Sequence, residues 1–138
     1  MQEVDVAIAE WHLAAGDPAR ALEIAEANRD AGVIRFAALE RIRGQAHMAL
    51  GDEVAARAAL DSSLEEARAR DALYEIARTL DVLVDLDVRA GDLATAEQRE
   101  RESAELLDRL GVRDDPGRRA RVSVARTSGL PTAAGSRT

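Results

Sequence analysis

The chain has 138 residues, which fits one domain, with 46% hydrophobic residues, 33% charged residues and a net charge of −7. It contains no Cys and no Lys, which excludes disulfides, thiolate catalysis, Cys-ligated zinc, Schiff-base chemistry and a Lys-dependent phosphate loop. Neither a charged-then-apolar leader nor a run of about 18 apolar residues occurs, so the expectation is a cytoplasmic chain that does not enter a membrane.

Apolar content is dominated by 29 Ala and 15 Leu, with one Phe, one Tyr and one Trp. Ala and Leu are strong helix formers, and strand-favouring aromatics are nearly absent. Charge is unevenly placed. Residues 1–112 carry 13 Arg against 24 acids, a net of −11, and residues 113–138 carry six Arg against Asp114 and Asp115, a net of +4.

The first helix is expected over 2–15, with Val4, Ile8 and Trp11 on one face and Val6 and Leu13 on another. Gly16 ends it. Asp17 then offers a cap to the next helix, and Pro18 presets its first turn. That second helix covers about 18–30, with Ala21, Leu22, Ile24 and Ala25 inward and Gly32 as its stop. A third covers 33–50 through Ile34, Ala38, Leu39, Ile42, Ala46 and Ala49. Asp52 caps a fourth over 53–70, where Ala56, Leu60 and Leu64 recur every four residues. Asp71 is expected to cap a fifth over 72–90. Its Val82, Val84, Leu86 and Val88 alternate with acids in a strand-like way, yet the apolar pattern over some 18 residues favours helix. Asp92 caps a sixth over 93–110, which Gly111 stops. Residues 113–138, rich in Arg, Gly, Ser, Thr and Pro, are expected to be a disordered basic tail behind a helical domain of residues 1–112.

Gly-Asp recurs at Gly16-Asp17, Gly51-Asp52 and Gly91-Asp92, in steps of 35 and 40 residues, each time between two helical segments. The longer step is expected to reflect longer fourth and fifth helices. Three helical pairs with this period resemble tetratricopeptide repeats. The middle pair is closest, with Gly44 seven residues before Gly51 and with Ala56 and Leu60 in its second helix. Ala9 and Val84 stand where the outer pairs would have the first-helix glycine, and Glu100 stands where the last pair would have a large apolar residue. The Ala/Leu/Arg style, with its ending Ala104-Glu105-Leu106-Leu107-Asp108-Arg109-Leu110-Gly111, also resembles C-terminal arrays of large bacterial ATP-binding or cyclase-type regulators. The resemblance implies an all-α fold: three antiparallel helical hairpins stacked as a right-handed superhelix.

His12, His47 and Asp87 hold matching places in the three repeats. A His/His/Asp column has metal-ligand chemistry, but neighbouring repeats stand about a helix diameter apart, too far to share ligands at about 2 Å. A packing role is therefore expected, with no metal and no cofactor. The acids Asp81, Asp85 and Asp87 lack an accompanying nucleophile and are expected to line a groove or face water. Ser62-Ser63 has no placed His partner and is expected on a helix surface. No catalytic constellation is visible, so a non-enzymatic protein is expected.

In the family the first helices line a concave face. The register assigns to it Glu3, Val6, Glu10 and Leu13, then Arg41, Gln45 and Met48, then Arg78, Asp81, Asp85 and Val88. The resemblance implies a protein-interaction scaffold that holds a helix or extended peptide there, and the acidic excess suits a partner with basic residues. An acidic body speaks against nucleic acid. Two alternatives stand beside this reading: the terminal, regulatory or sensory segment of a bacterial signalling or transcription regulator, and a homo-oligomer formed through the first helix.

Overall fold

The computed structural model describes residues 2–28 and 33–112. It is all-helical: α1 Gln2–Ala14, α2 Pro18–Ala27, α3 Val33–Ala49, α4 Glu53–Ala69, α5 Leu73–Ala90 and α6 Leu93–Arg109. The strand-like stretch of Val82 to Val88 is helical within α5. The expected tail, 113–138, lies outside the described residues. The length difference between the two repeat steps sits in α2, which has 10 residues against 17 in α4; α3, α4, α5 and α6 have nearly equal lengths.

The Gly-Asp pairs act as one repeated device. Gly16, Gly51 and Gly91 sit in left-handed backbone conformations with φ of 86°, 88° and 81°, which costs glycine nothing. Each turn closes by an amide bond reaching back five residues, from Asp17 N–H to His12 C=O, from Asp52 N–H to His47 C=O and from Asp92 N–H to Asp87 C=O, at 2.8, 2.8 and 2.9 Å. This satisfies carbonyls that a helix end would otherwise leave open. The aspartates then cap the following helices through their side chains, accepting from the amides of Arg20, Ala55 and Thr95.

Asp71 differs from the expectation. It takes the glycine's place at the end of α4, with φ of 55°, while Ala72 precedes α5 and makes no side-chain cap. The turn is otherwise of the same kind: Ala72 N–H donates to Ala67 C=O at 2.9 Å. Asp tolerates this backbone region better than most non-glycine residues.

Each helix packs on the next in sequence. In addition α1 packs on α3 and α3 on α5, whereas α2, α4 and α6 make no comparable approach to one another among the described residues. The helices opening each pair thus form a contiguous layer, and the closing helices flank it. The interior is filled mostly by small side chains. Ala9 of α1 packs with Ala21 and Ala25 of α2 and with Leu39 and Ile42 of α3. In the middle pair Gly44 leaves room for Leu60, which joins Met48, Ala56, Val82, Leu83 and Leu86. In the last pair Val84 fills the space itself and packs on Ala96. The same interhelical gap is therefore filled from the closing helix in one pair and from the opening helix in the other.

Two buried serines pin the closing helices to the opening ones. Ser63 Oγ donates to Ala37 C=O at 2.8 Å and lies 2.8 Å from Thr79 Oγ1. A hydroxyl has one proton to give, so Thr79 is the donor in the second bond. Forty residues on, Ser103 Oγ is 2.9 Å from Asp81 Oδ1 and 3.3 Å from Ala77 C=O. Ser63 is fully buried rather than on the helix surface.

Candidate functional site

The residues assigned to the concave face divide into three groups. Glu10, Arg41, Gln45 and Arg78 come together. Arg41, on the inner face of α3, is only 2% exposed, the largest of the fully buried side chains. Its Nη2 donates to Glu10 Oε2 of α1 at 2.9 Å, its Nε to Glu75 Oε1 of α5 at 3.3 Å and its Nη1 to Gln45 Oε1 at 3.3 Å. A guanidinium spreads its donors in a fixed fork, so one Arg can serve carboxylates on two different helices. Arg78 Nη2 lies 3.8 Å from the same Glu10 carboxylate oxygen, and its Nη1 donates to Tyr74 Oη at 3.1 Å. The guanidinium also stands 5.6 Å from the centre of the Tyr74 ring. Partial burial works against the charge on Arg78, but the Tyr74 hydroxyl and the carboxylates of Glu10 and Glu75 outweigh it, raising its pKa.

Val6, Leu13, Met48 and Val88 do not form exposed anchors. Met48 is 8% exposed, inside the core cluster around Leu60. Val6 and Leu13 pack on the Ala9 cluster, and Val88 packs on Val84 and Ala96. The third group is acidic. Asp81 faces α6 through Ser103, and Asp85 is half-buried on α5. The side chain of Glu3 lies outside what the structure describes.

The repeat-related His12, His47 and Asp87 share a backbone task, because their carbonyls close the three turns. Their side chains diverge. His12 Nδ1 stands 3.9 Å from Asp17 Oδ2, with the ring edge-on to Trp11 at 4.9 Å. Asp87 is 1% exposed and held by Arg99 Nη1 at 2.7 Å and Arg57 Nη1 at 3.1 Å, so it neither lines a groove nor faces water. Among the described residues no group of three or more His, Asp or Glu side chains is arranged to hold a metal ion, and no helix is long and apolar enough to cross a membrane.

A second feature was not visible in the pattern of residues. Between α4 and α6 runs an open cleft of about 590 Å³. From α4 it is lined by Asp61, Leu64, Glu65 and Arg68, and from α6 by Thr95, Gln98, Arg99 and Glu102. Each set follows the i, i+3, i+4, i+7 spacing of a single helix face. Arg68 Nη2 bridges the cleft to Glu102 Oε1 at 3.0 Å.

Comparison with protein families, characterised proteins and solved structures found none that matches the chain. The functional reading therefore rests on the geometry above.

Proposed function

We propose that the chain is a non-enzymatic protein-interaction scaffold of tetratricopeptide type, whose α1–α3–α5 layer curves to hold a peptide or helix. The observation that carries this reading is the reach of Glu10. Glu10 belongs to α1, yet it contacts Arg41 of α3 and stands 3.8 Å from Arg78 of α5. Packed helices lie about 8–10 Å apart, so two spacings separate α1 from α5. Side chains that meet across such a gap favour a layer bent inward on that face, which is the curvature of a superhelical groove. The three equivalent turns and the Gly44–Leu60 fit support the same family reading.

The groove chemistry this implies is narrower than a row of apolar anchors. With Met48 in the core and Leu13 and Val6 half-buried against it, the surface offers the exposed Tyr74 ring, Arg78, Gln45, Glu10 and Asp85. Such a surface suits a peptide with basic and aromatic residues. The test is selection from a displayed peptide library against the intact chain and against a Tyr74→Ala/Asp85→Ala variant of unchanged helicity. Enrichment of a peptide class by the former and its loss with the latter is expected. No enrichment, or equal enrichment by both, would reject the groove.

A specific observation also favours association through α1. Trp11 is 64% exposed and Ile8 41% exposed. Their counterparts 40 residues after the equivalent α3 positions, Leu86 and Leu83, are buried against α4. Light scattering over a dilution series tests this second reading, with a monomer at all concentrations rejecting it.

A further inference from the structure

We infer that two copies of this chain pair through the exposed stripe of α1, antiparallel, about a twofold axis at Trp11. Resting on the association through α1 described above, the pairing adds a partner, the second copy's α1, and a geometry. Among the described side chains of α1, every exposed one is apolar: Ala7, Ile8, Trp11 and Ala14. Ala15 is also exposed and continues the stripe, since its N–H donates to Trp11 C=O at 2.9 Å. The spacing is that of one helix face. In a chain that is 33% charged, a face without charge suits an apolar occupant.

The repeat register indicates what such a face receives. Ile8 and Trp11 correspond to Arg43 and Ala46 of α3 and to Leu83 and Leu86 of α5. Arg43 Nε reaches Glu26 of α2 at 3.7 Å, and Leu83 and Leu86 pack with Ala56 and Leu60 of α4. α4 runs antiparallel to α5, because Arg57 meets Asp87 while Ser63, further along α4, meets Thr79, further back on α5. A neighbouring helix thus takes this place in both later pairs, and in the last it is antiparallel.

Two helices of a second copy compete for the place on α1. α6, the end of the stack, is unsuited. Its exposed side chains include Gln98, Arg101, Glu105 and Asp108 at the spacing of one face. Setting them on Trp11 would take charges out of water with no partner opposite. α1 suits itself. The stripe is placed symmetrically about Trp11, with Ile8 and Ala14 three residues to either side and Ala7 and Ala15 four. Antiparallel pairing centred on Trp11 is the register that lays the whole stripe on itself. It sets Ile8 of each copy beside Ala14 of the other, large against small, and brings the two indoles together. The indole is already oriented, edge-on to His12 at 4.9 Å, so less freedom is lost on pairing.

Size sets the strength. From Ala7 to Ala15 the helix rises about 12 Å, so the pair buries less than the roughly 1,200 Å² of a standard interface. The dimer is therefore weak, populated on the order of 100 µM and lost near 1 µM.

The chain contains no Cys, so single thiols can be placed cleanly. Ala7→Cys and Ala15→Cys chains are mixed at about 100 µM under mild oxidation. The mixed disulfide is expected to form several-fold faster than either like-with-like disulfide. Pairing brings position 7 of one copy to position 15 of the other, whereas like positions stand about 12 Å apart along the axis, beyond the roughly 7 Å limit between bridged Cα atoms. Trp11→Glu, and Ala14→Glu with the indole kept, should abolish both the mixed disulfide and the rise of scattered mass with concentration, with helicity by circular dichroism unchanged. Faster like-with-like disulfides would mean parallel pairing and overturn the antiparallel twofold, and association with no disulfide preference would overturn it too; both outcomes leave association through α1 standing. Association indifferent to both Glu variants, or a monomer at every concentration, would overturn the twofold together with the reading on which it rests.

Discussion

Gly44 and Leu60 compete for one volume. A Cβ added to Gly44 would lie 2.5 Å from Leu60 Cγ and 2.7 Å from Leu60 Cδ2, with Ala56 C=O at 3.3 Å. These contacts decide the sign of a substitution that helix propensity alone would get wrong. Propensity favours Ala over Gly within a helix by about 1 kcal/mol, whereas overpacking a filled core costs about 1–3 kcal/mol. Since Cγ is the branching atom rather than the flexible end of the Leu60 side chain, Gly44→Ala is expected to destabilise. Leu60→Ala alone should cost about 2–5 kcal/mol through the cavity it leaves. The double variant should cost less than the sum. Urea denaturation of the four proteins measures the coupling, and strict additivity would show that the two sites do not share space.

Arg41 is expected to be the most sensitive charged position. Removing it leaves the carboxylates of Glu10 and Glu75 facing each other across α3. Loss of one partner from a buried ionic group costs about 3–5 kcal/mol; the water still reaching Glu10 and Glu75 puts Arg41→Ala at the lower end, about 3 kcal/mol. Arg41→Lys keeps the charge but not the fork, so it should recover only part of the loss in thermal melts. A Lys variant as stable as the parent would refute the bridging role.

Adjacent serines should behave oppositely. Ser63→Ala removes a buried bond to the Ala37 carbonyl and the acceptor for Thr79, at about 1–3 kcal/mol. Ser62→Ala, on a half-exposed face, should stay within about 0.5 kcal/mol. Equal effects in chemical denaturation would contradict the burial of Ser63.

Asp92 makes the last pair sensitive to acid. Its carboxylate accepts from Thr95, through the side chain and the backbone amide, and these bonds hold its pKa below the ordinary value of 3.8. A depressed carboxylate contributes its stability in full above the unfolded value, and that contribution is lost as pH falls through the lower, folded one. Asp92→Asn should therefore flatten the acid limb of stability below about pH 4. Near pH 7, Asp92→Ala should cost about 1 kcal/mol as a lost cap.

Asp71 offers a gain. It occupies the left-handed position that glycine fills in the other turns. That conformation costs a non-glycine residue up to about 1–2 kcal/mol, less for Asp. Asp71→Gly is expected to raise stability by roughly 0.5 kcal/mol after glycine's own entropic cost. A fall in melting temperature would show that the Asp71 side chain does more than tolerate the turn.

Much of the helical frame was legible in the residues. Gly16, Gly51 and Gly91 with their following aspartates mark helix ends to within a residue or so, because left-handed stops and side-chain caps are local events that need no knowledge of the rest of the chain. Asp71 was misread for the same reason: Asp serves both as a cap and as a left-handed stop, and only the path of the neighbouring backbone separates the two. The candidate site was much less legible. Helical periodicity tells which residues share a face, but not whether another helix covers that face. Met48 shares a stripe with Gln45, yet the neighbouring helices close over Met48 and leave Gln45 half-open. The burial of Ser63 and Arg41 depends on partners 26 and 31–34 residues away, which no local window contains.

The exposed Trp11 has a spectroscopic consequence. It is the chain's only Trp, and it sits on α1, at one edge of the packed layer. Its emission therefore reports the opening of that edge, while far-ultraviolet dichroism sums all six helices. In a stack whose elements touch mainly their neighbours, the edge can melt before the middle. Fluorescence and dichroism midpoints that separate would reveal stepwise loss from α1, and midpoints that coincide would show that Arg41 and its carboxylates bind the three opening helices into one cooperative unit.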